Sequence, residues 1–309
     1  MKKRIGFILI IIGIVVGTDL LVGAVTGKLI KEVPDVGVNQ TNTAQALFAR
    51  TADILILGSS RANHSFDCKV LEDSLGMSCY NAGRDGQNMA YDAMVFFSYL
   101  ERHLPKLVIL DITGAMMDDS WFDNLKEMNC YYGLSKPLDR IINENSNWTD
   151  KIKLKSNLYR YNNTWQWLLN AHIAGNQSER NGFRPMPVNA RTSFKASFRE
   201  KENIKIDKRC FYYLEAIRKT CKENNIQLIL TYSPSLIIVK KNGLEDWIDA
   251  YAKKHHLAFY DFGRNAIFYE HPELFYDMTH LNAIGATQFT KEFIGRLKSK
   301  ELRVRSKKI

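Results

Sequence analysis

Five short runs narrow the folds open to this chain more than any other feature. They read DILILG (53–58), MSCYNAG (77–83), KLVILDI (106–112), IQLILTYSP (226–234) and LAFYDFG (257–263). The strongest of them are continuously apolar rather than alternating, so both faces of each strand must be covered, which is the habit of a parallel sheet sandwiched by helices. Helix-period segments fall between the runs: FDCKVLEDSLG (66–76), GQNMAYDAMVFFSYLERHLP (86–105), KRCFYYLEAIRKTCKENN (208–225), GLEDWIDAYAKKHH (243–256) and a closing AIGATQFTKEFIGRLKSK (283–300). Strand alternating with helix predicts an α/β fold on a central parallel sheet. The pattern lapses over about 115–205, which carries SNLYRYNNTWQWLLNAHIAG and NGFRPMPVNARTSF. We read this stretch as a helical and loop insertion over one end of the sheet. Tyr159, Tyr161, Trp165 and Trp167 are read as packing residues, with a sugar-stacking platform as the alternative.

The chain opens MKKRIGFILIIIGIVVGTDLLVGAVTGKLIKE, apolar from Ile5 to Gly27 with Asp19 as its only charge. About 20 such residues suffice to cross a bilayer. Because the segment is apolar on every face, an amphipathic core helix is excluded. Lys2, Lys3 and Arg4 favour a cytoplasmic N-terminus, so the rest of a single-pass, membrane-anchored chain lies in the cell envelope. A cleaved signal peptide, with core Ile5–Gly17 and cleavage at Val22-Gly23-Ala24, is the rival, and it exports the domain equally. The expected organisation is 1–27 anchor, 28–50 polar linker running into a short helix, 51–300 one α/β domain, and 301–309 basic tail. Asp19 has no explanation at this level beyond a partner interface or a place near the outer surface.

The 309 residues, 45% hydrophobic and 25% charged, are ordinary globular composition. The net charge of +10 has its densest run in KSKELRVRSKKI at the end. That run reads as a solvated tail, with anionic lipid or an acidic glycan as alternative partners. Neither zinc-finger spacing nor an aromatic ribonucleoprotein motif occurs, so nucleic acid is not an expected partner. The five cysteines are scattered without a C-x-x-C, so no metal, redox centre or other cofactor is expected. Cys210 and Cys221 share one helix, too far apart to bond. Cys68 and Cys79 are either a disulfide in an oxidising compartment or buried thiols.

Open α/β sheets carry their sites at the carboxyl ends of the strands. There the sequence sets Gly58-Ser59-Ser60 after the first run, Asn81-Ala82-Gly83 after the second, DITG after the third and Asp277-Met278-Thr279-His280 after the fifth. A serine needs a base to become a nucleophile, and a histidine base needs an acid to orient it. Asp277 and His280, three apart, bring carboxylate to imidazole within one turn. The bland readings are Ser60 or Asp277 as helix caps and His280 as a surface loop residue; Ser59 is the rival nucleophile. G-x-S-x-G is absent, which argues against an α/β-hydrolase elbow.

With these blocks in place, the sequence resembles the SGNH/GDSL hydrolase superfamily over roughly 50–297, the insertion apart. The resemblance implies a flavodoxin-like three-layer fold, Ser60 as nucleophile, His280 as base and Asp277 as its orienting acid. It implies an oxyanion hole from the amides of Ser60 and Gly83, with Gly86 close by. The departures are specific. Ser59 and Arg61 replace the aspartate and leucine of G-D-S-L, and the third block ends LDITGAMMDD without the usual asparagine. Asn81, Asn63 or Thr113 is then the substitute oxyanion donor. Arg61 and Asn63 are candidate substrate contacts, Arg61 holding either an anionic group or a structural carboxylate. His64 is read as structural, and Asp111 as a buried hydrogen-bonding group. The order of anchor, G-S-S, N-x-G and D-x-x-H resembles the anchored members that transfer acyl groups in envelope-glycan synthesis. The expected activity is therefore a serine esterase or O-acyltransferase working through an acyl-Ser60 intermediate. Its expected substrate is an acylated carbohydrate or other ester, in the presence of polysaccharide-assembly partners. The alternative keeps the fold as a non-catalytic glycan-binding or assembly component.

Overall fold

The structure, a computed structural model, describes residues 2–176, 178, 180–188, 194–202 and 204–306. Its strands are β1 (Ile54–Gly58), β2 (Cys79–Asn81), β3 (Leu107–Asp111), β4 (Ser197–Lys201), β5 (Gln227–Tyr232), β6 (Ile237–Lys241) and β7 (Ala258–Asp261). Five of them form an all-parallel sheet in the order β2-β1-β3-β5-β7. These are the five runs expected as strands. The order reverses direction at β1, so the crevice between the ends of β1 and β3 is the place where such a sheet accepts a ligand.

Helices cover both faces. In chain order they are α1 (Lys2–Lys31), α2 (Asn39–Phe48), α3 (Ser60–Ser65), α4 (Cys68–Leu75), α5 (Met89–Leu100), α6 (Gly114–Met117), α7 (Lys136–Asn145), α8 (Trp148–Lys153), α9 (Asn157–Tyr161), α10 (Trp165–Ala174), α11 (Lys208–Glu223), α12 (Leu244–His255), α13 (Ala266–Tyr269) and α14 (Ala283–Ser306). Alternate strand residues serve the two layers. Leu55, Leu57, Val108, Leu110, Leu228 and Leu230 pack with α2, α5, α11 and α12. Ile54, Ile56, Leu107, Ile109 and Ile229 pack with α4, α13 and α14, whose Phe289 and Phe293 sit edge-on to Phe66. The result is a three-layer α/β sandwich.

The fold departs from the sequence reading in three places. The segment expected to link anchor and domain is built into the core. Ile30 and Val33 are buried, and α2 lies against α5 with Thr41–Leu47 buried. Its polar side chains are consumed internally: Asn42 Nδ2 donates to the Gly182 carbonyl, Gln45 Nε2 donates to the Val33 carbonyl, and Thr43 Oγ1 meets the Tyr91 hydroxyl. The insertion is not wholly without strands, since β4 pairs in parallel with β6 as a separate two-stranded ribbon. And the insertion helices extend the α5 side of the core through Leu138, Ile141, Leu154, Tyr161 and Leu168. Residues 189–193 of the expected loop, and the last three of the expected tail, lie outside the described residues. Lys2–Lys31 is long and apolar enough to cross a membrane, and its apolar side chains from Ile5 to Val25 are largely exposed.

Candidate active site

β1 runs out at Gly58, whose φ of +143° suits only glycine. A Cβ there would stand 2.7 Å from Ala62 Cβ and 2.8 Å from the Asp111 carbonyl oxygen. From the helix beneath, Asp92 Oδ1 accepts the Gly58 N–H at 2.8 Å. Ser59 is the N-cap residue of α3 but makes no capping bond. It is 1% exposed, and its hydroxyl has no partner among the described residues. Ser60 opens the helix and turns outward, with Oγ 2.7 Å from His280 Nε2. Of the two serines, only Ser60 meets the histidine.

The DMTH segment is a tight turn. The Tyr276 N–H donates to the His280 carbonyl, and Phe275 and Leu281 form a single bridge across the turn's base. Asp277 Oδ1 accepts the N–H groups of Thr279 at 2.8 Å and His280 at 2.9 Å. Both Asp277 oxygens face His280 Nδ1, at 3.0 and 2.8 Å. Partial burial pushes this carboxyl up, but the His280 bond and the Thr279 amide outweigh it and hold the group well below the usual carboxylate range. Capping the last helix falls instead to Asn282, whose Oδ1 accepts from Ile284 and Gly285.

Ser60 and His280 open on a pocket of about 520 Å³, whose wall also includes Arg61, His64, Gly86, Thr113, Trp121 and Tyr232. Arg61 is 7% exposed. Its Nε donates to Ser233 Oγ, its guanidinium lies 4.3 Å over the Tyr232 ring, and its Nη2 has no partner among the described residues. Behind it, Asp111 accepts from Ser233 Oγ, the Ser233 N–H and Thr231 Oγ1. Burial raises the Asp111 carboxyl against the pull of Arg61. Thr113 precedes α6 without capping it, leaving its hydroxyl to the pocket.

Three of the expected site groups are spent elsewhere. Asn81 is fully buried and donates to the carbonyls of Ala62 and Phe66, which fastens α3 to the end of β2. Its Oδ1 takes the Gly83 N–H at 3.0 Å, so that amide is already engaged. Asn63 is fully buried and donates to Asn39 and Asp85 rather than reaching the pocket. Asn81 is claimed by backbone groups of the neighbouring turn, and Asn63 by the side chains of Asn39 and Asp85, before any ligand can reach them.

The sequence reading overlooked two contributors. Asp92 is an acid on the buried face of the apolar MAYDAMVFF helix, which is the signal by which it could have been found. Burial first, and Asp111 nearby, push its carboxyl up to about 8 against the Gly58 N–H bond. Asp85 supports His64: Asp85 Oδ1 lies 3.0 Å from His64 Nε2, His64 Nδ1 donates to the Arg184 carbonyl, and the His64 ring stands edge-on to His280 at 5.6 Å. Of the aromatic residues in the insertion it is Trp121 that reaches the pocket, while Tyr161 is buried and Trp167 packs on the core. Among the described residues no cluster of His, Cys, Asp and Glu is arranged to hold a metal ion.

No family model matches the chain, and no curated protein matches it. Solved structures similar to it include a protein named as an acylhydrolase from Bacteroides fragilis, at 14% identity and TM-score 0.40, covering 85% of this chain and 99% of that one. Another is named as a lipolytic protein of the G-D-S-L family from Desulfitobacterium hafniense, at 14% identity and TM-score 0.38, covering 79% and 97%. A third is a GDSL-like lipase from Bacteroides thetaiotaomicron, at 13% identity and TM-score 0.35, covering 79% and 88%. Likeness at this level carries no statement about activity, which rests on the site itself.

Proposed function

We propose that the chain is a serine esterase or O-acyltransferase that works through an acyl-Ser60 intermediate. One observation carries the reading: Ser60 Oγ, His280 and Asp277 form a continuous relay, 2.7 Å to Nε2 and 2.8 Å from Nδ1 to the carboxylate. His280 Nε2 takes the hydroxyl proton as Ser60 Oγ bonds to the ester carbonyl carbon. The carbonyl–oxygen bond to the leaving alcohol then breaks, and His280 returns the proton to that oxygen. Water or a sugar hydroxyl next bonds to the acyl carbonyl carbon, giving its proton to His280; the bond from that carbon to Ser60 Oγ breaks, and His280 returns the proton to Oγ. Asp277 fixes the tautomer with the proton on Nδ1 and offsets the imidazolium charge.

With Gly83 engaged, we assign the oxyanion contacts to the Ser60 N–H at the start of α3 and to the Thr113 hydroxyl. Arg61, with one amino group unpartnered among the described residues, is assigned to an anionic part of the substrate. The length and apolarity of α1 support a single-pass anchor, and Lys2, Lys3 and Arg4 support an envelope-side domain. An ester-linked acyl group on a surface polysaccharide is the substrate this arrangement suits, with polysaccharide-assembly proteins as neighbours.

A fluorophosphonate probe tests the chemistry without knowledge of the acceptor. Labelling is expected for the full chain and is expected to vanish in Ser60→Ala and His280→Ala. A chain that resists the probe, or labelling that survives Ser60→Ala, refutes the proposal. A binding-only role draws support from the engaged Gly83 amide and the missing third-block asparagine, and an unlabelled chain would favour it.

A further inference from the structure

Asp19, the single charge between Ile5 and Gly27 of α1, is fully occupied. Its carboxylate accepts from Ser156 Oγ at 2.7 Å, from the Asn157 N–H at 3.1 Å, from Asn157 Nδ2 at 2.9 Å and from the Leu158 N–H at 2.9 Å. One turn further along, Gly23 lets the Asn157 side chain press against the helix, since a Cβ there would stand 2.5 Å from it. The insertion is thus pinned to α1 at a defined height.

That height is informative. The exposed apolar surface of α1 runs from Ile5 to Val25, interrupted on one side where Asp19, Val22 and Gly23 meet the domain, and full burial begins at Thr26. At ~1.5 Å per residue the exposed stretch is about 31 Å long, which matches a hydrocarbon core of about 30 Å. Residues Ile5 to Thr18 alone would reach only about 21 Å. A membrane that fits α1 therefore extends past Asp19 by about 9 Å, and the start of α9 lies below its surface. A carboxylate at that depth needs partners, and so do the two first-turn N–H groups of α9, because lipid supplies no hydrogen bonds. Each satisfies the other here.

The surface beside this pin is equipped for the same setting. Trp148 is 73% exposed and Ile152 58%, with Leu158 and Tyr159 also outward. Lys151 and Lys155 are exposed among them. Exposed aromatic and aliphatic side chains interleaved with lysines are what an interfacial segment presents, with rings at headgroup level and cations on anionic lipid. Resting on the reading of α1 as a membrane span, we propose that α8 and α9 form a membrane-docking face that sinks into the leaflet beside α1. The domain is then held by two attachments, a span and an interfacial foot, which fixes its tilt on the bilayer.

The test uses the full chain in nanodiscs of phosphatidylcholine and phosphatidylglycerol, with lipid brominated near the headgroup end of the chains as quencher. Wild-type tryptophan emission should be quenched, and Trp148→Phe should remove most of that quenching. Asp19→Ala should also reduce it by freeing α9. Equal fractional quenching in wild type and Trp148→Phe overturns the docking face, and unchanged quenching in Asp19→Ala overturns the pin. Alkaline carbonate extraction separates the two readings. A chain that stays in the membrane pellet without quenching of Trp148 refutes the docking face alone. A chain released by carbonate refutes the span and the docking face together. Fluorophosphonate labelling of Ser60 is independent of either.

Discussion

The Asp277→Asn substitution isolates what the acid does. Asp277 Oδ1 accepts two turn amides, from Thr279 and His280, while Oδ2 stands 2.8 Å from His280 Nδ1. Asparagine keeps an oxygen for the two amides, so the turn and the fold should hold, with stability changed by under about 1 kcal/mol. It places an NH₂ where Oδ2 was, and a donor there can face Nδ1 only if Nδ1 has lost its proton. The proton then sits on Nε2, pointing at Ser60, and the base cannot accept. The expected loss is about 10⁴-fold in the rate of Ser60 modification, or ~5 kcal/mol of barrier. The assay is the second-order rate of fluorophosphonate labelling, alongside thermal melting of the same preparations. A loss smaller than about tenfold in a protein that melts like wild type would refute the tautomer argument. Asp277→Ala should behave differently, since it removes the amide acceptor as well and should lower the melting temperature.

Three further expectations follow from the geometry. Thr113→Val keeps the shape but removes the assigned oxyanion hydroxyl, and should lower kcat on an activated ester by about 10²-fold with KM little changed; an unchanged kcat removes Thr113 from that role. Asp92, pushed up to about 8 by burial, binds its proton in the folded state while the unfolded chain releases it near 4. Its contribution is therefore fully present below about pH 4 and declines by up to ~1.4 kcal/mol per pH unit towards pH 8. Denaturant titrations of Asp92→Asn should show a shallower decline across that window, and parallel curves would count against it. Cys68 and Cys79 are free thiols with sulfurs 3.0 Å apart, one on α4 and one on β2. Mild oxidation should join them with loss of two hydrogens by mass and about 2–3 kcal/mol of added stability, while thiols that persist under oxidation would contradict this.

What the sequence disclosed, and what it hid, divides along physical lines. The strands of the central sheet were legible because burial on both faces forces an unbroken apolar run, as in Ile54–Gly58. Ser60, Asp277 and His280 were legible because they follow strand ends in a sheet whose crevice lies there. The ribbon strand β4, Ser197–Lys201, is exposed at every residue and so leaves no hydrophobic trace. Asn63 and Asn81 look like site donors from position alone. Only the folded turn reveals that the carbonyls of Ala62 and Phe66 and the Asp85 carboxylate claim them. The segment read as a polar linker running into a short helix does contain that helix, α2, but its packing was hidden, because Asn42, Thr43 and Gln45 are polar in composition and satisfied from within. Asp19 was an anomaly until α9, more than a hundred residues away, supplied its donors.

The relay between Ser60 and His280 joins positions 220 residues apart, and the helix after His280 packs against α3 and α4 near the chain's other end. During synthesis the serine is therefore made early and the base late. The growing chain carries Ser60 without its His280 partner through most of its production. On the proposed mechanism Ser60 meets its base only once the 277–280 turn and α14 are in place, so a chain cut short before residue 277 would lack the relay.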